Sequence, residues 1–293
     1  YVMIVKEINK VSIIGLGLIG GSIGMCLRNK GILDRVIGIP RREETIDQAK
    51  KKGAISEGTM DMAAGVADAD IVFICTPITL IIPTLEKIKG SLKEGAIVTD
   101  VGSTKKVIVE KAEKIMGPNT HFIGGHPMAG SDRFGIGAAH TFLFDNANWI
   151  LTPSAKADPD VVETLKTFLE KMDAKVHVIK PDYHDFLVAG ISHMPLMVAI
   201  SLVKTVSDIG DSRDKMLELA ATGFRDTTRI ASGHPVLGKD MCDTNQEMIL
   251  ELIKRFKASL ANIEYLIRER KLDELEDEFT RIKKVRDSIY TSG

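Results

Sequence analysis

The chain has 293 residues, 44% of them hydrophobic and 27% charged, and its formal net charge is −1. This length and balance predict a globular protein of two domains, and the lack of a long Lys/Arg run argues against nucleic acid or a membrane surface as a partner. The three cysteines have no CxxC spacing, no signal-peptide pattern is present, and no apolar stretch approaches the roughly 20 residues of a membrane span, so we expect a cytoplasmic protein without disulfides.

The first half of the chain alternates short β-branched runs with helical patterns. The predicted strands are residues 11–14, 36–39, 71–75, 97–100, 121–123, 148–151 and 176–179, and predicted helices end at residue 27 and cover 43–52 and 158–172. Continuous apolar runs are typical of strands that are covered on both faces. The fold class is therefore predicted to be α/β, with an N-terminal Rossmann-type, doubly wound and mostly parallel sheet.

The pattern changes near Pro181, where strand signals disappear. Long helices are predicted at residues 182–206, 212–221, 240–270 and 272–289. We therefore expect a Rossmann dinucleotide-binding domain over residues 1–180 and an all-α substrate and dimerisation domain over 181–293. Helices of this length expose apolar faces that a small domain cannot cover alone, which favours a homodimer through this half.

A glycine-rich turn follows the first predicted strand and opens the first helix. Its residues are Gly15, Gly17, Leu18, Ile19 and Gly20, in the pattern GxGxxG. The glycines allow a tight turn and close approach to a pyrophosphate, and the helix N-terminus offers free N–H groups to the phosphates. A turn kept only for packing is the alternative, but strand, turn and helix together indicate dinucleotide binding.

The end of the second strand indicates which dinucleotide is bound. An acidic residue usually binds the ribose hydroxyls of NAD here, whereas this chain has Arg41 and Arg42 with no acid before Glu43. Arginines at this point suit the 2′-phosphate of NADP, so we favour NADP over NAD, the alternative being surface charge. Thr76 and Pro77 follow the third strand and are expected at the same edge of the sheet, against the cofactor.

Four segments go beyond a generic Rossmann domain. They are GGHPMAGS at residues 124–131, GFRDTTRIA at 223–231, VGS at 101–103 and ISHMP at 191–195. In this order they closely resemble the prephenate/arogenate dehydrogenase family of tyrosine biosynthesis, over essentially the whole chain. The resemblance implies an NAD(P)-dependent oxidative decarboxylation, in which prephenate gives 4-hydroxyphenylpyruvate or, alternatively, arogenate gives tyrosine directly.

The resemblance also implies roles for three residues. His126 matches the family's catalytic histidine, which takes the proton of the substrate hydroxyl as hydride leaves the ring. Ser103 matches the serine that hydrogen-bonds this histidine or the substrate hydroxyl. Arg229 matches the arginine that binds a substrate carboxylate. From the residues alone, His126 can equally be a turn histidine, Ser103 a helix cap, and Arg229 a surface partner of Asp226.

Three further residues are candidates for the substrate pocket. Ser192 and His193 stand on an otherwise apolar helix, where His193 can equally be a satisfied core histidine. Asp132, just after the His126 segment, is the weaker candidate. No group of His, Asp and Glu has the spacing of metal ligands, so we expect no metal.

The chain departs from known members of the family at two positions. Leu196 stands where some members have a second histidine, and Gly238 where some have a tryptophan. Both positions belong to the substrate pocket in the family, which leaves the choice between prephenate and arogenate open. We expect a monofunctional chain, with neither an amino-acid-sensing ACT domain nor a chorismate mutase segment.

Two other functions compete with this interpretation. One is a different Rossmann dehydrogenase or an imine reductase, which would use a lysine of the helical half, and Lys204 is the nearest such residue. The other is a non-enzymatic redox sensor that binds NADP. A sensor would not require His126, Ser103 and Arg229 together, so their presence argues against it.

Overall fold

The structure of the protein is a computed structural model that describes residues 7–131 and 133–290. Eight strands hydrogen-bond in the order β3-β2-β1-β4-β5-β6-β7-β8. Their bounds are β1 Val11–Ile14, β2 Val36–Ile39, β3 Glu57–Gly58, β4 Ile71–Ile74, β5 Ile97–Asp100, β6 His121–Pro127, β7 Asn148–Pro153 and β8 Lys175–Val178. Only β6 and β7 pair antiparallel among these strands, which confirms the predicted mostly parallel, Rossmann-type sheet.

The interior strands are buried throughout because helices cover both of their faces. Every residue of β1, β2, β4 and β5 is buried. One face carries an apolar core around Phe73, Phe144 and Trp149, and the other a second core around Ile14 and Ile74. Strands buried on both faces leave only their ends for chemistry, so the functional side chains are expected at the carboxyl edge of the sheet.

The helices cover both faces of the sheet and make up the rest of the described chain after β8. Their bounds are α1 Leu18–Asn29, α2 Glu44–Lys51, α3 Met62–Val66, α4 Ile78–Ile88, α5 Lys106–Ile115, α6 Pro159–Glu170, α7 Pro181–Val188, α8 Met194–Ser207, α9 Arg213–Glu218, α10 Thr222–Thr228, α11 Pro235–Thr244, α12 Gln246–Arg268 and α13 Leu272–Tyr290. This succession confirms the predicted helical C-terminal half.

Two predicted helices differ in detail from the observed ones. The helix predicted at 182–206 is continuous from α7 to α8, but a π-helical turn at Ala189–His193 joins the two. The single helix predicted at 240–270 is divided at Asn245, whose backbone leaves the helical region with φ −133° and ψ 33°. The Asn245 side chain hydrogen-bonds Asp185 and His193, and these tertiary bonds hold the residue outside a regular helix.

The continuous helix Pro181–Ser207 has 27 residues and is long and apolar enough, by length and composition alone, to cross a membrane. The expectation that no segment approaches this length is therefore wrong. The same test is passed by apolar helices that pack within proteins, so one such helix is weak evidence for a membrane span. His184 and Asp185 of this helix are buried and make polar contacts within the chain.

The chain divides into two compact units, residues 1–246 and 247–293. The first contains the sheet and α1 to α11. The second contains most of α12 and all of α13, whose exposed large hydrophobic side chains are Leu250, Leu260, Tyr265, Ile267, Leu272, Phe279, Ile282, Val285 and Ile289. This division by contacts is separate from the predicted change of domain near residue 181, which stays a prediction.

Candidate active site

A crevice of about 730 Å³ lies at the carboxyl ends of the strands. Six predicted cofactor residues line it, namely Gly15, Gly17, Arg41, Arg42, Thr76 and Pro77. Leu18, Ile19 and Gly20 form the first turn of α1 beside it. The structure therefore brings these predicted segments together, and it adds Phe134 and His234, which also line the crevice and were not predicted there.

The glycine-rich turn has the shape that a bound pyrophosphate requires. Gly15 has φ +96°, and a Cβ atom there would lie 2.5 Å from the Cys75 carbonyl oxygen, so only glycine fits. A Cβ atom on Gly17 would enter open space, on a residue that lines the crevice. Gly17 is also the N-cap of α1 and supplies no side-chain cap. The first N–H groups of α1 therefore remain available to a phosphate, and the turn fits a dinucleotide.

Two arginines line the crevice just after β2. Arg41 and Arg42 are both exposed, and Arg42 lies 3.8 Å from Glu44 in a loose ion pair. Thr45 contributes a hydroxyl to the same wall. The two arginines make this part of the wall cationic, which suits an additional phosphate on the ribose.

His126 lies near the end of β6 and is held by a second histidine. Its Nδ1 is 2.9 Å from Nε2 of His184, and the two rings meet edge to face with centroids 5.1 Å apart. In the described residues 7–131 and 133–290, no hydrogen bond joins Ser103 to His126. Ser103 lies on the loop after β5 and is half-buried. The immediate partner of His126 in the structure is therefore His184, for which the sequence alone predicts no role.

Asp185 completes a line of three side chains. Its Oδ1 lies 2.8 Å from Nδ1 of His184. The same carboxylate accepts hydrogen bonds from the backbone N–H of Lys105, at 2.7 Å, and of Lys106, at 2.9 Å. Asp185 therefore caps the N-terminus of α5, and Ser103 does not make a side-chain cap there. No local sequence signal predicts this, because the two segments are about 80 residues apart.

A buried ion pair lies next to the His126 backbone. Lys105 and Asp100 are fully buried and paired. Lys105 Nζ donates to the Gly125 carbonyl at 2.8 Å, and Asp100 accepts from the Gly125 N–H at 3.2 Å. Burial lowers the pKa of Lys105, against the attraction of Asp100. Both backbone groups of Gly125 are thus fixed, and with them the residue that precedes His126.

His126 is poised to accept a proton. Burial, with a further contribution from neighbouring basic side chains, holds its pKa well below the usual 6.5. The imidazole is therefore neutral at pH 7. A neutral histidine at the carboxyl edge of the sheet has the protonation state that a general base needs.

His193 presents an unsatisfied donor close to this line of residues. It is fully buried, and its Nδ1 lies 3.2 Å from the Asn245 amide nitrogen, which also donates to the Asp185 carbonyl at 2.8 Å. Burial lowers the pKa of His193 to about 4, so the ring is neutral and its proton lies on Nε2. Within the described part of the chain this Nε2 has no hydrogen-bond partner. Ser192, its neighbour, is exposed.

Arg229 lines a second cavity, of about 540 Å³. Phe134 lines both this cavity and the dinucleotide crevice. The surface alternative predicted for Arg229 is not observed, because Asp226 pairs with Arg225 instead, at 2.9 Å. The Arg229 guanidinium is exposed. Asp132, the remaining predicted pocket residue, lies outside the described residues.

The two departures from the family pattern occur side by side. Leu196 and Gly238 both line an apolar cavity of about 440 Å³. A Cβ atom on Gly238 would lie 3.8 Å from Leu196 Cδ2. The chain therefore has apolar space where the family pattern has larger polar or aromatic groups. Among the residues that the structure describes, no group of three or more His, Cys, Asp or Glu side chains is placed to hold a metal ion.

Comparison with known families identifies the chain. Residues 23–178 match the family model "Prephenate dehydrogenase, nucleotide-binding domain", and residues 180–281 match "Prephenate dehydrogenase, dimerization domain". The chain belongs to the prephenate dehydrogenase family. This confirms the predicted family and argues against the other Rossmann dehydrogenases and the redox sensor. Lys204, the lysine considered for those enzymes, is exposed and pairs with Asp208.

Three relatives show how closely the chain resembles other members of the prephenate dehydrogenase family. Prephenate dehydrogenase of Bacillus subtilis is 36% identical over 276 residues, which is 94% of this chain and 74% of the relative. Arogenate dehydrogenase of Synechocystis is 37% identical, with a TM-score of 0.86 over 96% of this chain and 99% of that one. Prephenate dehydrogenase of A. aeolicus, solved with hydroxyphenyl propionate and NAD⁺, is 30% identical, with a TM-score of 0.91 over 97% and 99%.

Proposed function

We propose that the chain catalyses the NAD(P)-dependent oxidative decarboxylation of prephenate to 4-hydroxyphenylpyruvate in L-tyrosine biosynthesis. The observation that carries the proposal is a neutral His126 held at the carboxyl edge of a sheet whose crevice fits a dinucleotide. Oxidation of arogenate to tyrosine is the second candidate. It is favoured by the resemblance to the Synechocystis arogenate dehydrogenase.

The proposed chemistry assigns one task to each side chain. A bound NAD or NADP supplies the acceptor for a hydride from the ring carbon that carries the hydroxyl. Nε2 of His126 takes the hydroxyl proton, which makes departure of the hydride easier. Loss of CO₂ leaves its electron pair in the ring, and His126 returns the proton to the oxygen as the ring becomes aromatic. Proton transfer through His126 is thus balanced over one turnover.

The other proposed site residues bind and orient the substrate. Arg229 pairs with a substrate carboxylate, since its guanidinium has no ion-pair partner among the described residues. Ser103, on the loop after β5, hydrogen-bonds the substrate hydroxyl. His193 offers its unpartnered Nε2–H to an acceptor on the ligand. A buried donor without a partner costs about 1–3 kcal/mol, which a bound acceptor would recover. Ser192 and Asp132 stay weaker pocket candidates.

The proposed cofactor preference is for NADP over NAD. Its support is the position of Arg41 and Arg42 on the wall of the crevice, where each can donate charge-assisted hydrogen bonds to a 2′-phosphate. No acidic residue lines the crevice among the described residues, so the usual carboxylate partner of the NAD ribose is not provided there. The ratio of activities with the two dinucleotides tests this preference.

The proposed assembly is a homodimer. The dimerization-domain match covers residues 180–281, and α12 and α13 expose apolar residues such as Leu260, Phe279 and Ile282. A second copy of the chain would remove this apolar surface from water. Sedimentation at micromolar concentration should show a dimer, and a clean monomer would contradict the proposal.

The proposed location of the enzyme is the cytoplasm. Its three cysteines are all free, and Cys26 is buried. Free cysteines are typical of a reducing compartment. Fractionation of cells of the source organism, with detection by antibody, tests the location, and recovery of the protein in the membrane fraction would contradict it.

The decisive experiment measures steady-state reduction of NAD and NADP with prephenate and with arogenate. We expect turnover in at least one of the four combinations, with NADP preferred. The ratio between the substrates distinguishes the two candidate reactions. No turnover in any combination would show that family membership does not extend to this activity.

A further inference from the structure

We propose that His184 and Asp185 are positioning residues that fix the protonation state of His126, so that its Nε2 is the basic nitrogen. The inference rests on the proposed role of His126 as the base. It adds two residues for which neither the family resemblance nor the motifs suggested a function. The observation is the line His126–His184–Asp185, joined by contacts of 2.9 Å and 2.8 Å.

The positions of the protons along this line are determined by Asp185 at its far end. The Asp185 carboxylate accepts two backbone N–H groups at the start of α5, one at each oxygen, so both oxygens act as hydrogen-bond acceptors. An ionised carboxylate only accepts hydrogen bonds, so the facing Nδ1 of His184 must carry a proton. In a neutral imidazole the other nitrogen is then unprotonated. Nε2 of His184 is therefore an acceptor.

His126 is fixed in turn by this acceptor. Its Nδ1 faces Nε2 of His184 at 2.9 Å, so Nδ1 must carry the proton of the neutral His126 ring. Nε2 of His126 is left with a free electron pair. The opposite arrangement would place the unprotonated Nδ1 of His184 against the negative Asp185. The carboxylate thus selects one tautomer for each of the two rings.

The same line stabilises His126 after it has taken a proton. The new imidazolium keeps its Nδ1–H bond to His184, whose own Nδ1–H bond leads to the negative charge of Asp185. His184 is fully buried, and within the described residues its side chain has no hydrogen bond besides those to His126 and Asp185. It is therefore placed to hold the ring of His126 and to transmit electrostatic stabilisation from Asp185. The proton itself stays on His126.

The position of Asp185 is fixed from two further directions. Its carboxylate is held by the first turn of α5, and its backbone carbonyl accepts from the Asn245 amide at 2.8 Å. Lys105 of that turn also donates to the carbonyl of Gly125, the residue before His126. Asp185 and the residue that precedes His126 are therefore both hydrogen-bonded to the start of α5. This keeps the distances along the line His126–His184–Asp185 constant.

Two substitutions of similar polarity separate a positioning role from packing. Gln at position 184 carries its amide oxygen near the place of the histidine Nε2 and can accept from His126. Asn carries its amide near the place of Nδ1 and can donate to Asp185, but it does not reach His126. We expect His184→Asn to lower kcat about 100-fold and His184→Gln to retain kcat within about tenfold, both with little change in dinucleotide Kd. If the two variants lost kcat equally, and in proportion to the decrease in their melting temperatures, His184 would have only a packing role.

A double variant distinguishes failure of this inference from failure of the proposed function. If His184 acts through His126, adding His184→Asn to His126→Asn should cause no further loss of kcat. If His126→Asn leaves turnover unchanged, the proposed base is wrong. If His126→Asn is impaired while His184→Asn is fully active, only the positioning role is wrong.

The tautomer can also be measured without turnover. In ¹⁵N NMR of the full chain at pH 7, the His126 proton should lie on Nδ1, and it should move to Nε2 in a large fraction of His184→Asn molecules. A wild-type His126 protonated on Nε2 would overturn the inference even if the enzyme were active.

Discussion

Nδ1 of His126 lies 2.9 Å from Nε2 of His184, and this contact joins the end of β6 to the long helix that follows the sheet. It brings together residues 58 positions apart in the chain. Its consequence is that the proposed base, near the end of β6, is held by a side chain of α7. The proposed chemistry and the contact between β6 and α7 therefore depend on the same side chains.

The first prediction concerns pH. His126 acts as a base only when it is neutral, and its pKa is held well below 6.5, first of all by burial. A lowered pKa extends the neutral form to more acidic solution, so kcat/KM should stay level down to pH 6.5 and decrease only below it. The pH profile of kcat/KM with saturating dinucleotide measures this. An acid limb with its midpoint above 6.5 would contradict the prediction.

The second prediction concerns the carboxylate partner. Arg229→Ala should raise the KM for the ring substrate about 10- to 100-fold with a smaller effect on kcat, because a charge-assisted bond that holds the substrate is lost. Arg225→Ala is the matched control. It removes an arginine that lines the same cavity but is already paired with Asp226. A loss confined to kcat, or an equal rise of KM in the control, would show that Arg229 does not anchor the substrate.

The third prediction concerns the dinucleotide. Replacing both Arg41 and Arg42 by Ala should lower kcat/KM for NADP about 10- to 100-fold and leave NAD nearly unaffected, because only NADP has the 2′-phosphate. Lys50→Ala with Lys51→Ala is a control of identical charge change on the exposed end of the adjoining helix. If kcat/KM changes equally for NADP and NAD, the two arginines are only surface charge.

The fourth prediction concerns stability. Lys105→Met should lower the free energy of unfolding by about 3–5 kcal/mol, because it leaves the fully buried carboxylate of Asp100 without its partner. Adding Asp100→Asn should recover part of this loss, since a neutral amide is less costly to bury. Urea unfolding at pH 7 measures both variants. A loss below about 1 kcal/mol in the single variant would show that the pair is not needed.

Much of the fold was predictable from local pattern. The runs that form β1, β2 and β5 were placed correctly because a strand buried on both faces is rich in apolar and β-branched residues. The glycine-rich turn was placed because Gly15 needs a positive φ and a close approach to Cys75. Such features are encoded within a few consecutive residues.

The missed features depend on contacts between distant segments. His184 and Asp185 give no local signal, since their roles arise only when α7 meets β6 and α5. The division of the predicted helix at Asn245 has the same origin, because its amide hydrogen-bonds groups of the preceding long helix. The antiparallel pairing of β7 with β6 was also not predictable from its sequence, since an apolar run carries no direction.

The most direct test of the account is a comparison of wild type with His126→Asn. kcat should decrease by about two to four orders of magnitude, the usual contribution of a general base, while the Kd for the dinucleotide stays unchanged because His126 is not among the residues that line its crevice. Asn keeps a polar side chain but cannot take up the proton. A variant that turns over as fast as wild type would remove His126 from the mechanism and contradict the account.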